Sequence, residues 1–172
     1  MAGPYNNDPY GANFDVGVLG VGNLLLRDEG FGVHFIRYIK TRHSFPDSVW
    51  LMDGGTAGIF LSSFFEGVKR AVVIDAVLLD ETPGTILRFS HEELKARSAM
   101  MRMSPHQVGV LEVLEISRLR DKAPRQVDFF TVVPMDISTG LGLSPVLEER
   151  LPCVASMLLW HLDGLGIAVK AC

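Results

Sequence analysis

The sequence predicts an α/β fold. Three layers, α/β/α, enclose a mostly parallel twisted sheet of about five strands, one of them an antiparallel edge strand. Three observations predict this. Short apolar runs alternate with segments of helical period along the chain. The run Ala71-Val72-Val73-Ile74 is continuously apolar, the signature of a strand covered on both faces. The Thr82-Pro83-Gly84 turn leads into the next apolar run by a link too short for a helical crossover, so that run lies antiparallel at an edge.

The elements follow in order. Phe14 to Gly20 forms the first strand, broken by Gly20-Val21-Gly22-Asn23. A helix runs from Glu29 or Gly30 to about Lys40, because Phe31, Phe35, Ile36 and Ile39 recur on one face. Asp28 and Glu29 stand at its start, where acidic groups cap orphan amides and favour the dipole. Val49 to Met52 is a strand closed by Asp53-Gly54-Gly55-Thr56, with a helix from Ile59 to Phe65 behind it. The central strand ends on Asp75, and Thr85 to Phe89 is the edge strand. A short helix lies near Glu92. Ser104-Pro105 opens the next helix, which runs to Leu119, since Ser caps well and Pro suits the first helical position. Val127 to Val133 is a strand, Pro134 to Ser144 a Gly-rich loop, and Pro145 to Asp163 one closing helix.

With 172 residues, the chain holds one domain, residues 14–172, behind a polar, flexible extension of residues 1–13. It is 48% hydrophobic and 21% charged, enough apolar content for a full core. A net charge of -4 leaves no footprint for a polyanion, which argues against nucleic acid. The start lacks the pattern of a signal peptide, and no apolar run reaches the roughly 18 residues of a membrane span. Cys153 and Cys172 form no CxxC pair, and a reducing cytoplasm fits them. Cys153 falls in an apolar helical run and is expected in the core, while His34, His43, His91 and His161 are expected at the surface or an interface.

Gly20-x-Gly22 after a first strand invites a dinucleotide reading, but the third Gly is absent and Asp28 and Glu29 would repel a phosphate, so no nucleotide is expected. A rival from the same loop, a peptidyl-tRNA hydrolase with Gly22-Asn23 and Thr41-Arg42-His43, is opposed by the acidic charge. Three other side chains share one expected rim. Glu29 lies just past the first strand, Asp75 ends the central strand, and His106 occupies the first turn of a helix. Two carboxylates and an imidazole make an open transition-metal site. Taken singly, each has an ordinary reading: Glu29 answers a helix dipole, Asp75 caps a turn, His106 has no task. Asp28 is a helix cap or, alternatively, a base that positions water. Met100-Met101-Arg102-Met103 and Ser138-Thr139-Gly140-Leu141-Gly142-Leu143 either flank the cleft or fill core.

Five ordered strings add a resemblance: Gly20 to Val33, Asp53-Gly54-Gly55-Thr56-Ala57-Gly58, Val73-Ile74-Asp75-Ala76, Pro83-Gly84-Thr85 and Ser104-Pro105-His106-Gln107. Together they resemble the nickel–iron hydrogenase maturation endopeptidases over residues 14 to about 165. The resemblance implies a fold like those of peptidyl-tRNA hydrolases and purine nucleoside phosphorylases. It implies an endopeptidase that removes the C-terminal extension of a hydrogenase large-subunit precursor after nickel insertion. Glu29, Asp75 and His106 match the family's nickel-recognising ligands, and Asp53, Gly54, Gly55 and Thr56 match a segment tied to substrate recognition. The nickel is then brought by the precursor, with cadmium or zinc able to replace it in vitro. The rival function for the same site is a non-catalytic nickel chaperone or checkpoint protein.

Overall fold

Two strands buried along almost their whole length, β1 (Phe14–Val21) and β4 (Val68–Ala76), form the middle of the sheet. The other strands are β2 (His43–Ser44), β3 (Val49–Gly55), β5 (Ile86–Ser90), β6 (Gln126–Val132) and β7 (Lys170–Ala171). The computed structural model describes residues 14–56, 58–97 and 105–172, and of residues 59, 60, 105 and 106 the backbone. The sheet order is β3-β1-β4-β6-β5. β1, β3, β4 and β6 pair in parallel, and β5 runs antiparallel to β6 at the edge, as the short Thr82-Pro83-Gly84 link predicts. The expected extension of residues 1–13 lies outside the described residues.

The helices are α1 (Phe31–Lys40), α2 (Ser62–Gly67), α3 (His91–Arg97), α4 (Pro105–Leu119), α5 (Pro145–Glu148) and α6 (Leu151–Gly164). Side chains of a strand alternate between faces, so one sheet serves two cores. Val18, Val72 and Ile74 face Phe35, Ile36 and Ile39 of α1 and Leu158 and Leu162 of α6. Leu19 and Val73 face the other way, toward Phe64 and Phe65 of α2, Leu94 of α3 and Val113 and Leu114 of α4. The result is the three-layer α/β/α arrangement that the alternating pattern predicts.

Four details differ from the sequence expectation. The turn holding Asp28 and Glu29 is a separate 3-10 turn, Arg27–Gly30, that precedes α1. Another 3-10 turn, Gly58–Leu61, precedes α2. The closing helix is two helices, α5 and α6, because Pro152 has no N–H for the Glu148 carbonyl and its ring crowds that turn. Finally, β2 and β7 join as a two-residue antiparallel ladder that fastens the segment after α1 to residues 170–171.

Candidate active site

β1 hands the chain to α1 on one face of the sheet, whereas α4, which precedes β6, lies on the other. Where neighbouring parallel strands send their connections to opposite faces, a crevice opens beyond their carboxyl ends. The Glu29 turn follows β1, and Asp75 is the penultimate residue of β4. Both therefore stand at the same rim.

Two close contacts fix the turn there. A Cβ on Gly32 would lie 2.1 Å from the Ile74 carbonyl oxygen and 2.4 Å from that of Val21, so the start of α1 rests directly on the backbones of β1 and β4. A Cβ on Gly22, which has φ +140°, would meet the Glu29 carbonyl oxygen at 2.0 Å. Only glycine permits such approach. Glu29 itself is half-buried.

Asp75 is buried, and its carboxylate is held from two sides. Oδ1 accepts from the Ala76 N–H at 2.8 Å and Oδ2 from Gln107 Nε2 at 2.9 Å. The same Gln107 nitrogen donates to the Ala76 carbonyl at 2.6 Å. Gln107 is buried too, so the first turn of α4 is bonded to the end of β4. The backbone of His106, one residue earlier in that turn, is placed at the rim with it; its side chain lies outside the described residues. Among the described residues no three His, Cys, Asp or Glu side chains gather as a metal site. The donor set present at the rim is thus a fixed carboxylate, Asp75, and a half-buried one, Glu29. Outer hydrogen bonds of the kind Gln107 supplies are what orient metal-ligating carboxylates.

The Asp53-Gly54-Gly55-Thr56 segment closes β3 at this rim. Asp53 is exposed, accepts from the Gly55 N–H at 3.2 Å and pairs with Arg37 at 3.5 Å. Gly54 is packed where a Cβ would strike Leu19 at 2.7 Å, and Gly55 has φ +49°. A Cβ on Gly109 would lie 3.4 Å from Gly58 Cα, so the Gly58–Leu61 turn sits against the first turns of α4. Ala57 and Met100 to Met103 lie outside the described residues.

Asp28 does not cap the helix that follows it; its carboxylate turns to a distant loop. It is fully buried, and it receives four hydrogen bonds from one distant loop. Oδ2 accepts from the Met135 N–H at 2.9 Å, the Asp136 N–H at 2.9 Å and the Ser144 hydroxyl at 2.8 Å, while Oδ1 accepts from the Ser144 N–H at 2.6 Å. The neighbouring Arg27 adds an ion pair to Asp136 at 3.3 Å. The carboxyl of the half-exposed Asp136 lies below its ordinary range, first through the hydrogen bonds from Ser138 and then through Arg27.

Three more expectations are corrected. Cys153 is exposed, with its thiol toward the Glu149 carbonyl at 3.7 Å, because Val154, Leu158 and Leu162 take the inward stripe of α6. His91 is buried between Glu92 and Glu115, and His161 is nearly buried beside Asp128. In the sequence Gln107 stands out only as the residue beside His106, and nothing there signals Ser144.

A family model described as hydrogenase maturation protease matches residues 33–161. The hydrogenase 2 maturation protease of Escherichia coli is 32% identical over 151 residues, which cover 87% of this chain and 92% of the relative. The hydrogenase expression/formation protein HoxM of Azotobacter vinelandii is 38% identical over 155 residues, 90% of this chain and 75% of the relative. Among solved structures, the hydrogenase maturating endopeptidase HybD of E. coli superposes with a TM-score of 0.86 at 31% identity, covering 92% of this chain and 98% of the other. The [NiFe] hydrogenase maturation protease HybD of Thermococcus kodakarensis gives a TM-score of 0.68 at 26% identity, over 84% and 99%. A match across more than half of the sequence, on a fold shared along nearly its full length, makes this chain a member of the hydrogenase maturation protease family, a peptidase.

Proposed function

We propose that this peptidase removes the C-terminal extension of a nickel–iron hydrogenase large-subunit precursor once nickel has been inserted. It recognises that substrate-borne nickel through Glu29, Asp75 and His106. The observation that carries the reading is the Asp75 carboxylate, buried at the rim and aimed by Ala76 and by Gln107, the residue that follows His106. Two carboxylates and one imidazole hold a divalent ion more loosely than three imidazoles or thiolates, which suits a site that borrows a metal and returns it. Cleavage then waits on correct metallation, because a nickel-free precursor lacks the ion that anchors it. The Asp53 to Thr56 segment, which closes β3 at the same rim, meets the precursor beside the metal. Two unpaired, exposed cysteines accord with a cytoplasmic setting. Among the described residues no helix is long and apolar enough to cross a membrane.

The test incubates the purified chain with precursor in nickel-loaded and nickel-free forms and follows precursor mass. Loss of a C-terminal peptide from the loaded form alone is expected; equal cleavage of both, or of neither, overturns the proposal. His106→Ala should abolish processing while unfolding stability stays within about 1 kcal/mol. Unchanged processing by that variant would remove His106 from nickel recognition. Cadmium or zinc, added to the chain alone, should raise its melting temperature and lose that effect in the Asp75→Asn variant.

A further inference from the structure

Exposed large apolar side chains are unevenly distributed over this molecule. Of the nine among the described residues, six stand on segments at the carboxyl rim of the sheet: Leu25, Leu78, Val108, Met135, Ile137 and Leu141. Chance would scatter them. Concentrated exposure of this kind marks a surface that is covered in use.

Four of the six, Leu25, Met135, Ile137 and Leu141, belong to two segments that the structure fastens together beside Glu29. Leu26 and Gly140 form a parallel bridge, in which the Arg27 N–H donates to the Gly140 carbonyl at 3.2 Å and the Gly140 N–H to the Leu25 carbonyl at 2.9 Å. The Asp28 N–H donates to the Asp136 carbonyl at 3.1 Å, and the Asp28 carboxylate takes four further bonds from the same loop. Arg27 holds φ 47°, a left-handed conformation that residues other than glycine avoid, and its side chain lies against Gly140 where a Cβ would sit 2.8 Å from Nε. A Gly-rich loop without regular structure is thus held from beneath by a buried carboxylate, while Met135, Ile137 and Leu141 face outward. Pre-formed surfaces of this kind lower the ordering cost of binding.

We infer that this surface seats an apolar stretch of the precursor polypeptide next to the segment that is cleaved. The inference rests on the reading of the chain as a precursor-processing peptidase and deepens it by naming what holds the substrate. Continuity commits the occupant. Leu25 stands four residues before Glu29 on the same turn-forming segment, and the loop that carries Leu141 is bonded to Leu25 and Arg27. A polypeptide whose metal is held by Glu29 passes beside this surface, because Leu25 and Glu29 share one short segment and Gly140 is bonded to it. The buried apolar centre of such a contact supplies the affinity, and charges stay at its margin. Here the margin is Arg27 with Asp136, an ion pair that is half-exposed.

The test is the double variant Leu25→Ser/Leu141→Ser. Both side chains are mostly exposed, at 62% and 75%, so neither substitution empties core, and a neutral hydroxyl leaves the field around Glu29 unchanged. The control is Leu119→Ser, 87% exposed at the end of α4, whose following segment meets the start of β4 at the opposite end of the sheet through the Arg125 N–H and the Lys69 carbonyl. With nickel-loaded precursor the double variant should show KM raised about tenfold at unchanged kcat, the pattern for lost uniform binding, while the control behaves as wild type. Binding of the loaded precursor, read by titration calorimetry, should weaken by the same factor, and this readout stands even if no variant and no wild type cleaves. Wild-type KM and affinity in the double variant, or an equal effect in the control, would overturn the inference. So would a wild-type dimer in sedimentation velocity that the double variant dissolves, since the surface would then belong to a second copy of this chain.

Discussion

Asp28 shows how much one side chain can organise. A buried carboxylate is tolerable only when its lone pairs are filled. Here backbone amides of Met135, Asp136 and Ser144 and the Ser144 hydroxyl fill them. Asp28→Ala leaves those donors without an acceptor in a dry site, at about 1–3 kcal/mol for each that finds no water. A loss near 3 kcal/mol in urea unfolding is expected, together with new protease cleavage within residues 134–144. A variant with wild-type stability and an uncut loop would contradict the clamp. The sequence could not disclose this role, because the partners lie 107 to 116 positions further along the chain. A helix cap is the local reading of Asp28, and local readings see only neighbours in sequence. Asp75 was legible for the converse reason: a strand that is continuously apolar and then stops on an acid announces a polar rim without any distant partner. The place of Cys153 depends on the phase of its helix. Helical spacing puts it with Ser156 and Trp160 on the outward face, one residue off the Val154, Leu158, Leu162 stripe.

At the scale of elements, the strands were readable and the joints were not. β1 and β4 read clearly because burial on both faces demands an unbroken apolar run. The β2 and β7 ladder, two residues each, carries no pattern that a sequence could show. The division of α5 from α6 did leave a sign in Pro152, which the apolar run around it obscured. The joint that matters for the site is the seat of α1. Gly32 has no room for a methyl group, since a Cβ would stand 2.1 Å from one carbonyl oxygen, 2.4 Å from another and 2.6 Å from a backbone nitrogen. No rotamer relieves a clash with backbone. Gly32→Ala must therefore lift α1 from the sheet, at about 3 kcal/mol, the upper range for overpacking. Because the Glu29 turn leads directly into α1, the same shift carries Glu29 away from Asp75. Processing should fall by more than the loss of folded protein explains, which a comparison of specific activity with the circular dichroism signal at one temperature would show. Full specific activity in the Gly32→Ala variant would mean that the turn is positioned by Asp28 alone.

For the molecule as a whole, the order of strands accounts for the location of the site, and the histidines set its tolerance to acid. The pKa values of His34, His91 and His161 are all lowered from the ordinary 6.5, in each case first by burial, which penalises the charged ring. Nearby arginines lower them further: Arg37 for His34, Arg118 for His91, Arg88 and Arg70 for His161. Facing carboxylates pull the other way without prevailing, Glu148 and Asp53 at His34, Glu92 and Glu115 at His91 and Asp128 at His161. A proton therefore binds the unfolded chain more readily than the folded one. Stability is full above pH 6.5 and falls as the pH drops below it, since the unfolded state then holds more protons. The lowered carboxyls of Glu92, Glu93, Glu115 and Asp136 act in a separate window. Each is held down first by a hydrogen bond it accepts, so their contribution is lost only at pH below the ordinary carboxylate values of 4.5 and 3.8. Between those limits the histidines govern the slope. Urea midpoints measured from about pH 7.5 to about pH 5 should decline, and His161→Phe should flatten the decline. Phenylalanine keeps the edge-on packing against Phe130, now at 5.7 Å between ring centres, and removes the titrating nitrogen. An unchanged slope in that variant would show that His161 gains its proton as easily in the folded protein as in the unfolded chain, and that its neighbours, Asp128 foremost, outweigh its burial.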